Sequence, residues 1–226
     1  MADTIELVSP RDGFVFTALA APAEGERRGG IIIIQEIFGL DRYVEEDVAR
    51  WAAKGFEALA PAMFDRQEKG FLAAHDPEGI QRGFAHAMAN GLDNPISDVR
   101  ACVEALKDKG PVFIVGYCYG GTVAWRAASE VEGLSAAASY YGGQVGAMAG
   151  LPLACPAICH FGRKDAHIPA DEVKAALLAA HPEVPVHIYE ASGHGFNNDG
   201  RPDSDPADAA LARERTLAFF LAHGGA

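Results

Sequence analysis

Apolar residues recur along this chain in two alternating patterns. One is the short unbroken run. Ile31-Ile32-Ile33-Ile34 contains no polar member, as expected of a strand covered on both faces. Shorter runs of the same kind lie at 58–60, 112–115, 136–141, 157–160 and 186–189. The other pattern is helical. Within 41–54, Val44, Val48 and Trp51 recur at spacings of four and three. Residues 94–109 carry Pro95 near the start and align Ile96, Val99, Val103 and Leu106 on one face. Further helical stretches cover 79–89, 121–130, 170–180 and 207–223. At the start, 5–8 and 14–17 flank Pro10-Arg11-Asp12-Gly13, which predicts an antiparallel hairpin. Strand and helix then alternate, predicting an α/β fold with a mostly parallel central sheet and helices on both faces. No repeat, low-complexity tract or linker breaks the pattern, so residues 1–226 read as one domain.

Composition narrows the picture. For 226 residues, size scaling lets about 70% of the chain's surface be buried, enough for a substantial core. With 49% hydrophobic and 22% charged residues, intrinsic disorder is not expected. Lysine and arginine number 19 against 31 acids, a net charge of −12. That balance argues against nucleic acid and anionic membrane as partners. Residues 133–162 lack any charged side chain, yet their glycines and prolines suit two buried strands and a loop better than a membrane span. No secretory signal is visible at the N-terminus, so a cytoplasmic location is expected. Four cysteines make no disulfide framework. On one strand, Cys155 and Cys159 would lie about 13 Å apart, too far to bridge. Their spacing is also poor for zinc, and no metal site is expected.

The chemistry concentrates at strand ends. The run 112–115 leads into Gly116-Tyr117-Cys118-Tyr119-Gly120-Gly121, and a helical stretch follows. This is Gly-x-Cys-x-Gly on a strand–turn–helix, the nucleophile elbow with sulfur in place of oxygen. Such a turn is strained, its flanks have room only for glycine, and it sets the thiol at a helix N-terminus that favours thiolate. No phosphate loop competes, since Gly121 is followed by Thr122-Val123 and no Gly-x-Gly-x-x-Gly follows the early strands. An elbow nucleophile needs a base and an orienting acid, in the order nucleophile, acid, histidine. Asp165 stands just past the run 157–160, and His194 stands between two glycines past the run 186–189. Cys118, Asp165 and His194 are therefore the expected triad. His160 and His187 read as strand residues, and His223 as a frayed end.

These residues resemble the dienelactone hydrolase family, the cysteine branch of the α/β-hydrolase superfamily. The resemblance spans nearly the whole chain. Its most specific marks are Gln35-Glu36-Ile37-Phe38-Gly39, the elbow, and Gly193-His194-Gly195-Phe196. It implies an α/β-hydrolase fold and a monomer. It implies hydrolysis of a small lactone or ester through a thioester, with no cofactor. Glu36 follows four isoleucines, so its carboxylate is expected to be only partly solvated. The resemblance gives it a role in activating the nucleophile, and gives the backbone N–H groups of Ile37 and Tyr119 to the oxyanion hole. Family members that act on dienelactone hold its carboxylate with two arginines. One matches Arg82, and a tyrosine one turn later matches His86. The second matches Asn198, with Arg201 three residues further on. An asparagine there lacks the bidentate fork, which sets the hydrolytic chemistry apart from the dienelactone substrate. Two other readings stand beside the lactone hydrolase: a broader carboxylesterase or thioesterase, and a non-hydrolytic thiol sensor or binding protein.

Overall fold

The computed structural model describes residues 2–199, 201 and 204–225. β1 (Asp3–Val8) and β2 (Val15–Ala21) form the expected antiparallel hairpin. β2 runs further than its sequence suggests, because its last residues pair antiparallel with β4 (Phe56–Pro61). Ala18, Ala20 and Ala21 carry little strand preference of their own, and the neighbouring strand supplies it. β3 (Gly29–Ile34) is buried along its whole length. Burying each isoleucine is worth roughly 2 kcal/mol. It pairs parallel with β4 on one side and β5 (Val112–Tyr117) on the other. β6 (Ala136–Tyr140), β7 (Ala157–Gly162) and β8 (Val186–Tyr189) continue the parallel sheet. Among the described residues the sheet has eight strands in the order β1-β2-β4-β3-β5-β6-β7-β8.

Six helices of the described chain cover it: α1 (Arg42–Ala52), α2 (Pro77–Asn90), α3 (Asp93–Leu106), α4 (Tyr119–Glu130), α5 (Ala170–Ala180) and α6 (Pro206–Ala222). Their starts follow local chemistry. Asp41, Asp76 and Asp205 each accept a backbone N–H as N-cap, and proline opens α2 and α6. β5 shows how the faces divide. Its odd residues meet α1 and α6: the Phe113 ring stacks on Phe220 at 4.7 Å, and the Tyr117 ring meets Tyr43 at 5.3 Å. Its even residue Gly116 lies against α4, and Gly30 on β3 lies against Leu106 of α3. Helices therefore lie on both faces, as the sequence predicts.

Small differences have local causes. The run 136–141 ends as strand at Tyr140, because Tyr141 turns to φ 38°. α4 begins at Tyr119 rather than at 121, immediately after the elbow. His223 is not a frayed end: it follows α6 as C-cap, and its Nδ1 bonds the Phe219 carbonyl at 2.7 Å. None of the described helices is long and apolar enough to cross a membrane. Cys102, Cys155 and Cys159 are buried free thiols. Burial pushes Cys155 up to about 12 and Cys102 and Cys159 higher still, so they are chemically quiet.

Candidate active site

Parallel strands deliver their C-terminal ends to one edge of the sheet, and the loops that leave them meet there. β5 delivers Cys118. Its φ of 54° and ψ of −113° are the strained elbow conformation, costly for any residue with a side chain. The flanking glycines are required by space. A Cβ on Gly116 would lie 1.9 Å from the Gly120 carbonyl oxygen, and one on Gly120 would lie 2.3 Å from that of Ile34. The Cys118 N–H donates to the Tyr140 carbonyl at 3.0 Å, which ties the turn to β6.

β7 delivers Asp165 and β8 delivers His194. A Cβ on Gly162 would meet the Gly193 oxygen at 2.5 Å, so glycine there lets the two loops touch backbone to backbone. Asp165 Oδ1 accepts the N–H groups of His167 at 2.8 Å and Ile168 at 3.2 Å, fixing the carboxylate. Its Oδ2 lies 2.7 Å from His194 Nδ1. His194 Nε2 lies 3.1 Å from Cys118 Sγ. The structure thus brings the three residues together in one chain of contacts. Burial lowers the imidazole pKa, but the hydrogen bonds and charges of Asp165 and Cys118 outweigh it and raise His194 to about 10. Burial raises Asp165, and its contacts with His194 more than reverse that, so the carboxyl ends below its ordinary value. An imidazolium between a carboxylate and a sulfur is suited to support a thiolate.

β3 delivers Gln35, Glu36 and Ile37. Gln35 accepts the Met63 N–H at 3.1 Å and so fastens this loop to the end of β4. Among the described residues, the Ile37 and Tyr119 amides donate to no protein acceptor. Tyr119 opens α4, where the first amides have no helical partner. Glu36 is 3% exposed. It makes no hydrogen bond to Cys118 among the described residues. Its Oε2 instead accepts from Asn198 Nδ2 at 3.3 Å and Arg201 Nη1 at 3.4 Å, while Oε1 has no partner among the described residues.

Asn198 is buried on that carboxylate, and Arg201 brings a guanidinium to the same place from three residues further along. Sequence reading noted Arg201 but gave it no role. The only local signal was Gly195, whose φ is 75° and whose Cβ would strike the Arg201 guanidinium at 2.6 Å. Tyr141 was missed as well. Its ring meets the His194 ring at 5.1 Å, its hydroxyl is buried without a partner among the described residues, and burial, then the Glu36 charge, raise its pKa. Arg82 and His86 lie on α2, both against Glu68. Among the described residues no group of three or more histidines, cysteines or acids is placed to hold a metal ion.

A mostly parallel eight-stranded sheet with an elbow at the end of β5 defines the α/β-hydrolase class. The Dienelactone hydrolase family model matches residues 16–224, and the chain belongs to that family. It is 32% identical to the carboxymethylenebutenolidase of Pseudomonas putida over 218 residues, 92% of each chain. Among solved structures, a provisionally named dienelactone hydrolase from Klebsiella pneumoniae superposes with a TM-score of 0.81 at 25% identity, covering 98% of this chain and 99% of that one. A dienelactone hydrolase-like promiscuous phosphotriesterase from metagenomic libraries shares the fold, with a TM-score of 0.76 at 19% identity over 98% of both chains. The chain is a dienelactone hydrolase-like hydrolase.

Proposed function

We propose that this hydrolase uses Cys118 to open lactones or activated esters through a thioester. The observation that carries the reading is the 3.1 Å contact of Cys118 Sγ with His194 Nε2, while His194 Nδ1 lies 2.7 Å from Asp165. Sulfur attacks the carbonyl carbon, and the π electrons move to oxygen. The oxyanion is held by the Ile37 and Tyr119 amides. Collapse breaks the bond to the ring or alkoxy oxygen, which takes the proton from His194. A thioester on Cys118 remains. Water then gives a proton to His194 and attacks the thioester, and the carbon–sulfur bond breaks to release acid and restore the sulfur.

An imidazolium paired with Asp165 is a weak acid toward a departing, strongly basic alkoxide. Stable leaving groups such as enolates and phenolates are therefore favoured over alkyl alcohols. No step draws on a metal or organic cofactor. Cys118→Ala is expected to lower turnover of a 4-nitrophenyl ester by about a thousandfold or more. Acid quenching of the wild type should trap an acyl mass on the peptide carrying Cys118. Wild-type-like turnover in the variant would refute this site.

A further inference from the structure

Arg82 and His86 are already engaged by this chain's own carboxylate. Arg82 Nη2 lies 3.1 Å from both Glu68 oxygens, and His86 Nε2 lies 3.3 Å from Oε2. The backbone of Glu68 is held on both sides, by its N–H on the Phe64 carbonyl at 2.9 Å and its carbonyl on the Phe71 N–H at 3.1 Å. Arg82 lies over the Phe71 ring at 5.1 Å, and the His86 ring meets the same ring edge-on at 4.4 Å. Cation, imidazole and aromatic ring thus converge on one carboxylate.

This cluster adjoins the catalytic loops. Gly83, between Arg82 and His86 on α2, sits so close to the β3 loop that a Cβ would be 2.0 Å from the Ile37 oxygen. The His86 ring lies 5.9 Å from Phe64, which lies 5.3 Å from the ring of Tyr119. The cluster therefore touches Ile37 through Gly83 and reaches Tyr119 through the intervening Phe64 ring. Arg201, the other guanidinium near the site, lies against Glu36 at 3.4 Å. Each of these two cations thus has a carboxylate of this chain beside it.

We infer that Glu68 determines specificity: it fills the carboxylate position that Arg82 and His86 offer, and so selects uncharged lactones and activated esters over carboxylate-bearing ones. The inference rests on the hydrolase reading above and names the substrate class of that site. A tethered carboxylate competes at an effective concentration that a free substrate must exceed. A substrate carboxylate that does not displace it meets a like charge instead. Glu68 is about half exposed, 48% for its side chain, so removing its charge does not disturb the core.

Two 4-nitrophenyl esters test this, one of glutaric acid and one of its monoamide. The readout is the ratio of kcat/KM for the anionic over the uncharged ester. Glu68→Gln should raise that ratio at least about fivefold, and adding Arg82→Gln should remove the gain. An unchanged ratio in Glu68→Gln, or a gain that survives Arg82→Gln, overturns the inference. A second measurement needs no turnover: in Cys118→Ala, glutarate titrated by NMR should bind at least about threefold tighter when Glu68→Gln is added. Equal binding overturns the inference as well. Failure of the hydrolase reading is seen separately, as turnover of the uncharged ester that survives Cys118→Ala.

Discussion

The elbow depends on backbone space more than on side-chain contacts. Cys118 takes a positive φ that only the surrounding turn enforces, at a cost of about 1–3 kcal/mol. Gly116 and Gly193 both stand near the triad, but they differ in kind. A Cβ at 116 would overlap the Gly120 carbonyl at 1.9 Å, whereas one at 193 would make an ordinary contact of 3.7 Å with the Lys164 oxygen. Gly116→Ala is therefore expected to cost at least about 2 kcal/mol in urea unfolding. Gly193→Ala should stay within about 0.5 kcal/mol of the wild type, helped by lower entropy in its unfolded chain. Equal losses in the two variants would show that space at the elbow is not what makes the glycine necessary.

At the scale of elements, the site is a meeting of loops that leave neighbouring strand ends. The order of chemistry along the chain was legible because each loop follows an apolar run: Cys118 after β5, Asp165 after β7, His194 after β8. The spatial order of strands was not. Nothing in the runs themselves says that β4 sits between β2 and β3, or that Ala18, Ala20 and Ala21 find a partner there. Arg201 shows the same limit. A guanidinium three residues past the expected position reaches Glu36 because the loop turns at Gly195 and Asn198, a geometry set by tertiary contacts. The pairing predicts its own energetics. Arg201→Met strips a cation from a buried carboxylate and should cost about 2 kcal/mol or more. Adding Glu36→Gln should recover much of that loss, giving a favourable coupling in a double-mutant cycle measured by urea unfolding. Purely additive losses would mean that the 3.4 Å contact carries no energy.

For the whole molecule, the proposed triad ties stability to protons. His194 stays protonated up to about 10 in the folded chain, because Asp165 and Cys118 outweigh the effect of burial. An unfolded histidine titrates near 6.5. The folded state therefore keeps a proton that the unfolded state releases between those values. This contribution is complete below about 6.5 and is lost as pH rises through about 10. Asp165 works in the opposite direction. Its depressed pKa contributes stability above the unfolded value of about 3.9, and that is lost as pH falls through the lower folded value. Both terms are complete only between about 4 and 6.5, so stability should peak on the acid side of neutrality and fall toward pH 10. The net charge of −12 adds a second alkaline penalty through general repulsion. Salt separates the two, because exposed charges are screened and a buried pair is not. In 0.5 M NaCl the urea midpoint of the wild type should still fall with a clear slope as pH rises toward 10. His194→Gln should flatten that slope, while at low salt both proteins keep the part due to net charge. Equal slopes for the two proteins in high salt would mean that the triad histidine does not hold its proton through this range.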